Sequence, residues 1–195
     1  MGFEIRASAN KGTKTPPAET QRGFIFKRKS MKESAYKLLE TLEIVYKKFE
    51  HPPMFTCEDA KLHRVDCEFI DIKNLFVRNK DKSNLYLFTL PADVRADLKQ
   101  LQARLGETRL CFADADMLME KLKVSPGSVS LLNIANLDKP DITVLIDKKI
   151  MDSEYIGCHP NINTETVVFH CEYIPKILNH VKVKWQIIGG ANEKD

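Results

Sequence analysis

Two runs rich in aromatic and branched apolar residues, 67–78 and 84–90, are separated only by Asn79-Lys80-Asp81-Lys82-Ser83. Extended runs joined by five polar residues read as a β-hairpin, because so short a connection must turn the chain back on itself. The chain therefore contains a sheet with at least one antiparallel pair. Ahead of the hairpin, Met31, Ala35, Leu38, Leu39, Leu42, Val45, Tyr46 and Phe49 recur at steps of three and four, which predicts one long amphipathic helix. Ser30 and Glu33 have capping-box spacing at its start, and His51-Pro52-Pro53 stops it. A short extended piece over 54–57 and a short helix over 58–63 come next. Beyond the hairpin the expected elements are a helix over 93–105 ended by Gly106, a strand over 108–112, a helix over 114–122 and a turn at Ser125-Pro126-Gly127. Strands at 142–147 and 166–170, a helix over 173–178 with Pro175 in its first turn, and a strand over 183–188 complete the pattern. Hairpins mixed with helices predict an α/β (α+β) fold, a mixed, largely antiparallel sheet flanked by helices.

Residues 1–23 show no period and are rich in Ala, Thr, Lys, Gly and Pro, so residues 1–29 are expected to form a flexible basic extension ahead of one domain over 30–190. The formal charge of +3 is unevenly placed. Residues 1–32 carry eight basic side chains and two acidic ones, leaving 22 basic against 25 acidic in the remainder. Whatever long-range attraction the protein has for a polyanion therefore sits at one end. Neither 142–146 nor 166–169, the longest apolar runs, approaches the roughly 20 residues of a membrane span, so no membrane partner is expected. Five cysteines, odd in number and without C-x-x-C spacing, predict a reducing compartment without a disulfide framework. The N-terminus has no continuous apolar signal core, and Arg6 stands where myristoylation wants Ser or Thr, so the expected location is cytoplasmic.

No P-loop or dinucleotide fingerprint occurs, and the five histidines form neither an H-E-x-x-H pair nor a zinc spacing, so no cofactor or metal is expected. Asp114 and Asp116 form a D-x-D that reads as a helix start. Two segments stand out. In Asp71-Ile72-Lys73-Asn74-Leu75-Phe76-Val77, Lys73 and Asn74 interrupt an apolar strand in which Asn is a poor fit. Lys73 is either a solvent-pointing residue at a strand end or bulge, or a cation held at a cleft to meet an anion. The second segment is Tyr155-Ile156-Gly157-Cys158-His159-Pro160-Asn161-Ile162-Asn163-Thr164. Gly157 permits unusual backbone and Pro160 stiffens the residues after it, so the loop can present N–H groups to an oxyanion. Asn161, Asn163 and Thr164 fit turn hydrogen bonds equally well. Cys158-His159 as a thiol nucleophile and base is disfavoured, because adjacent residues of an extended chain point apart and no orienting carboxylate is evident.

Lys73-Asn74-Leu75-Phe76, Leu90-Pro91, Asp97-Leu98-Lys99, Pro126-Gly127-Ser128-Val129, Asp147-Lys148-Lys149 and Gly157-Cys158-His159-Pro160, in this order, resemble the YbaK/ProX aminoacyl-tRNA editing family, relatives of the insertion domain of bacterial prolyl-tRNA synthetase. His51-Pro52-Pro53-Met54-Phe55-Thr56 fits upstream, and the likeness spans about residues 31–188. It implies a hydrolase that removes a wrongly attached amino acid from the terminal adenosine of a tRNA, in the branch similar to alanyl-tRNA(Pro) deacylases. Mischarged tRNA(Pro) is the implied partner and prolyl-tRNA synthetase a second. The implied catalytic set is Lys73, on the terminal phosphate, with Asn74, Gly157 and His159. Thr56, Cys158, Pro160, Asn161, Asn163 and Thr164 would line the substrate. Ser130-Leu131-Leu132-Asn133-Ile134 departs from the Pro and Gly expected after Val129, which leaves the amino acid removed open if that stretch lines the pocket. A non-catalytic aminoacyl-tRNA or synthetase-binding module, and a deacylase for Cys or Ser, are the alternatives.

Overall fold

A computed structural model describes residues 32–52 and 68–189. Helix α1 covers 32–41 and buries Ala35, Leu38, Leu39 and Leu42, the first half of the predicted long helix. It ends early. Glu43 takes a left-handed φ of 52°, and the Ile44 N–H donates to Leu39 C=O as the chain leaves the helix. The second half becomes strand β1, Tyr46–Glu50, paired antiparallel with β7, Glu165–His170. Tyr46 and Phe49 suit a strand as well as a helix, and the cross-strand partner decides between them. Ser30 and the pieces expected over 54–57 and 58–63 lie outside the described residues.

The hairpin forms as predicted. Strand β2, Ile70–Asn79, returns through a polar turn to β3, Leu85–Pro91, with Asn74 opposite Thr89 and Lys73 opposite Leu90. Helix α2, Leu98–Leu105, starts five residues later than expected because Asp97 caps it, accepting the N–H groups of Lys99 and Gln100. Gly106 ends it at φ 66°, as expected. Strand β4, Leu110–Phe112, precedes α3, Ala115–Lys121, which Asp114 caps through the Met117 N–H; the D-x-D is a helix start. A 3-10 helix over Leu131–Asn136, which no sequence pattern announced, carries a capping box between Ser130 and Asn133. Strand β5, Thr143–Asp147, the short α4, Lys148–Met151, and β6, Tyr155–Cys158, lead to β7. Helix α5, Tyr173–Val181, and β8, Lys184–Ile188, close the described chain.

The sheet runs β1-β7-β6-β2-β3-β5-β8, with β4 also on β2. It is mixed: β1–β7, β6–β7, β2–β3 and β2–β4 are antiparallel, whereas β2–β6, β3–β5 and β5–β8 are parallel. One face buries the larger core under α1, α3, the 3-10 helix and α5, with Phe169, Leu87 and Ile146 at its centre. The other face carries Phe88, Leu90 and Leu145 under Leu101 of α2. β3 pairs with one edge of β2 from Ile72 to Arg78. On the other edge, β6 pairs only at Ile70 and Asp71, and β4 only from Val77 to Asn79. Between them, among the described residues, Lys73-Asn74-Leu75 has no strand beside it.

Candidate active site

The opening in the sheet falls on the lysine and asparagine that interrupt β2. Strand alternation sends Ile72 and Phe76, with Asn74 between them, toward the larger core, and Asp71, Lys73 and Leu75 toward the other face. Lys73 is half-buried in mid-strand, with its Nζ donating to the Ala92 carbonyl at 2.9 Å. It is neither at a strand end nor in a bulge. One ammonium proton is spent on Ala92, and an ammonium has three. Asn74 is on the opposite face, where the Thr89 hydroxyl donates to its Oδ1 at 2.7 Å. The two residues of the Lys-Asn pair therefore cannot meet one ligand atom with both side chains.

Gly157 and Cys158, expected in a loop, belong to strand β6 between β2 and β7. The need for glycine is a close approach rather than an unusual backbone angle: a Cβ at 157 would sit 2.5 Å from the Phe69 ring. Gly157 is paired with strands on both sides and Cys158 with β7. Cys158 is 2% exposed and shares the core face with Ile156. Burial pushes its thiol up, which keeps it protonated. Its side chain lies in the core, on the face of the sheet opposite Lys73.

Asp71 and Gly157 are the last residues paired between β2 and β6, and His159 follows β6 directly, on the turn that leads into β7. His159 is half-buried, its Nδ1 3.3 Å from the Glu165 carbonyl. Burial holds its pKa below the ordinary histidine value, Glu165 C=O opposes that shift, and His51 adds to it. A neutral ring donating from Nδ1 presents Nε2 as an acceptor. His51 lies 6.5 Å away between ring centres, edge to face, with Nε2 3.0 Å from Thr166 Oγ1.

The turn after His159 is tied down from beneath. Ser130 Oγ donates to His159 C=O at 2.5 Å. Asn161 has a left-handed φ of 63° and is 1% exposed. Its Oδ1 accepts from Asn133 at 2.7 Å and its Nδ2 donates to Ser34 of α1 at 3.2 Å. Asn161 is thus a buried turn former, the alternative role its sequence context allowed, and its side chain is not an exposed substrate contact. Pro160 is buried beside it, and Asn163 and Thr164 are half-buried, the Thr164 carbonyl accepting the His51 N–H at 3.0 Å. Thr56 lies outside the described residues. Leu131, Leu132, Asn133 and Ile134 are buried in the core, so the departure after Val129 alters packing behind the site. Sequence reasoning missed His51, Thr166, Ser130, Asn133 and Asp71. Only Asp71 had a legible signal, since period-two alternation from Lys73 places it on the same face.

A half-buried cation, a neutral histidine and an opening along one edge of β2 in a mixed sheet make an α/β domain suited to an anionic substrate with a polar reacting group. Residues 51–177 match the aminoacyl-tRNA editing domain, and the chain belongs to that family. It is 35% identical over 149 residues to the prolyl-tRNA editing protein ProX of Acetoanaerobium sticklandii, covering 75% of this chain and 90% of that one. It is 31% identical over 139 residues to the prolyl-tRNA synthetase associated domain-containing protein 1 of Danio rerio, covering 70% and 75%. A solved structure described as a candidate trans-editing enzyme for prolyl tRNA synthetase superposes with a TM-score of 0.62 at 17% identity, over 80% of this chain and 95% of that one, a likeness of fold. The chain is accordingly an aminoacyl-tRNA deacylase, a hydrolase whose substrate is a tRNA.

Proposed function

We propose that this enzyme acts in trans on alanine mischarged to tRNA(Pro), clearing an error of prolyl-tRNA synthetase in the cytoplasm. What supports the reading most is the placement of Lys73: a mid-strand cation beside the sheet opening, with protons left after its bond to Ala92. The resemblance to a prolyl-tRNA editing protein over most of the chain points to the same substrate. An aminoacyl ester is already activated, so the chemistry needs a positioned water and stabilisation of the developing oxyanion rather than a protein nucleophile. Lys73 takes the phosphate of the terminal adenosine as a point charge. His159 holds the ester end of the cleft, its main chain facing the carbonyl and its neutral ring accepting a hydrogen bond from a substrate hydroxyl or the water. Asn74 fixes the strand that carries Lys73 through Thr89. Pro160, Asn163 and Thr164 complete the walls, and a small pocket admits alanine while excluding bulkier proline by collision.

Lys73→Ala tests this. A hydrogen bond to a charged group contributes about 1.5–3 kcal/mol, so kcat/KM on Ala-tRNA(Pro) falls by roughly 10- to 150-fold. Lys73→Arg, which keeps the charge, recovers part of it. Rates and melting temperature are measured together, on tRNAs charged with Ala, Cys, Ser and Pro. A Lys73→Ala enzyme of native stability and undiminished rate removes the lysine from the mechanism, and absence of hydrolysis by the wild type on every substrate removes the reading itself.

A further inference from the structure

Asp71 has no assigned role, yet it stands beside Lys73 where the β2–β6 pairing ends. It precedes Lys73 by two residues on β2 and therefore faces the same side. Its partner across the parallel ladder is Gly157, which precedes His159 by two. Gly157 contributes no side chain and the Phe69 ring takes its place, while Asp71, in the last pair of the β2–β6 ladder, stands at the rim of the opening beside Lys73-Asn74-Leu75. The carboxylate packs close to that ring: Asp71 Oδ1 is 3.3 Å, and the Phe69 ring 2.5 Å, from the position a Cβ at 157 would take. The spacing to Lys73 is held by one peptide unit. The Asp71 carbonyl accepts the Ala92 N–H at 2.8 Å, while the Ala92 carbonyl accepts from Lys73 Nζ at 2.9 Å.

The substrate has a matching pair of charges. The terminal phosphodiester is an anion, and the free α-amino group of the esterified amino acid is an ammonium, at the two ends of one ribose. Along a strand, residues i and i+2 are about 7 Å apart, so Asp71 and Lys73 offer opposite charges at a separation of that scale. We propose that Asp71 receives the α-ammonium of the aminoacyl ester, which makes the enzyme selective for amino acids whose amine is free. This rests on the reading of the site as one for aminoacyl-tRNA. A carboxylate accepts through two oxygens and up to four lone pairs, so a protein donor on one of them is compatible with the role.

The experiment compares Ala-tRNA(Pro) with N-acetyl-Ala-tRNA(Pro), which has the same ester and phosphate but no ammonium. The wild type is expected to prefer the free amine by tenfold or more. Asp71→Asn should lose on the order of 10- to 100-fold in kcat/KM on Ala-tRNA(Pro). On the acetylated substrate it should change less than about threefold, so that the preference collapses. Asp71→Glu keeps the charge and should keep a preference. Asp71→Ser, which fits wherever Asp does, replaces Asp71→Asn if that variant shows no cooperative melting. Equal losses on both substrates, or none on either, overturn the inference and leave the deacylase reading intact. A wild type inactive on Ala-tRNA(Pro) overturns that reading, and this inference with it.

Discussion

Gly157 shows how much of the site is decided at one atom. In a strand flanked on both sides, a methyl group there would lie 2.5 Å from the Phe69 ring and 3.3 Å from Asp71 Oδ1. Overpacking of this kind costs about 1–3 kcal/mol, and the ring is the softer partner. Gly157→Ala is therefore expected to lower the melting temperature by roughly 3–10 °C, since about 1 kcal/mol shifts a domain of this size by 2–4 °C. The cost should disappear in the background of Phe69→Ala, because the ring that excludes the side chain is then gone. Additive melting temperatures in the double variant would show that something other than the ring demands glycine. Cys158, one residue on, is the opposite case. Its thiol is in the core and is pushed toward protonation by burial, with Ser130 as a polar neighbour. Cys158→Ser should keep most of the deacylase activity, measured on Ala-tRNA(Pro) alongside the melting curve, and complete inactivation at native stability would bring a thiol mechanism back.

At the scale of elements, the active-site turn is positioned by a buried polar chain that links three pieces of structure. Asn133 in the 3-10 helix, Asn161 in the turn and Ser34 in α1 are joined in sequence, and Ser34 donates onward to Asn136 at 2.5 Å. Asn133 also accepts the Ser130 N–H at 2.6 Å, and Ser130 holds the His159 carbonyl. Such a network is stabilising only when every member is satisfied. Asn133→Leu would strand Asn161 Oδ1 and the Ser130 N–H. At about 1–3 kcal/mol for each unsatisfied group, the loss is roughly 2–6 kcal/mol, read by denaturant unfolding. KM for Ala-tRNA(Pro) should rise as the turn loosens. A variant of wild-type stability would mean that the network does not hold the turn. Lys32 and Tyr36 of α1 both bind the buried Glu165 carboxylate, which anchors the same helix to the first residue of β7.

Across the whole molecule the charge is divided between a basic N-terminal segment and an acidic remainder. Residues 1–29 hold seven basic side chains against two acidic ones, whereas residues 33–195 hold 22 against 25. A tRNA is attracted by the first and not by the net charge of the second. Deleting residues 1–29 is expected to flatten the dependence of log Kd on log salt by roughly 2–4 units, at about 0.7–0.9 for each phosphate that is no longer neutralised. The rate at saturating substrate should not change, because long-range attraction acts on the encounter with tRNA rather than on the bound ester. Titrations of both forms across a salt series, with turnover measured beside them, decide the matter. Identical slopes would leave the basic segment without a part in binding, and a collapsed maximal rate would mean that it supports the site itself.

Much of this architecture was legible in local pattern. The 79–83 hairpin, the caps at Asp114 and Gly106, and the strands around 143–147, 165–170 and 184–188 arise from turn chemistry and periodicity, which act between residues close in the chain. Lys73 stood out because a cation in an apolar strand needs a reason. Other features depended on partners far away in sequence. The residues of β1 carry a helical period and form a strand because β7, over a hundred positions later, offers its edge. Gly157 and Cys158 look like loop residues and are a central strand for the same cause. The gap beside Lys73-Asn74-Leu75 exists only because β6 ends and β4 begins at different heights on one edge of β2, and no local pattern records where a neighbouring strand stops. Residue types and local geometry therefore determined the elements and the candidate cation. The long-range register of the sheet decided which side chains share a face, and hence that Asp71 and Lys73 lie on one while Asn74 and Cys158 lie on the other.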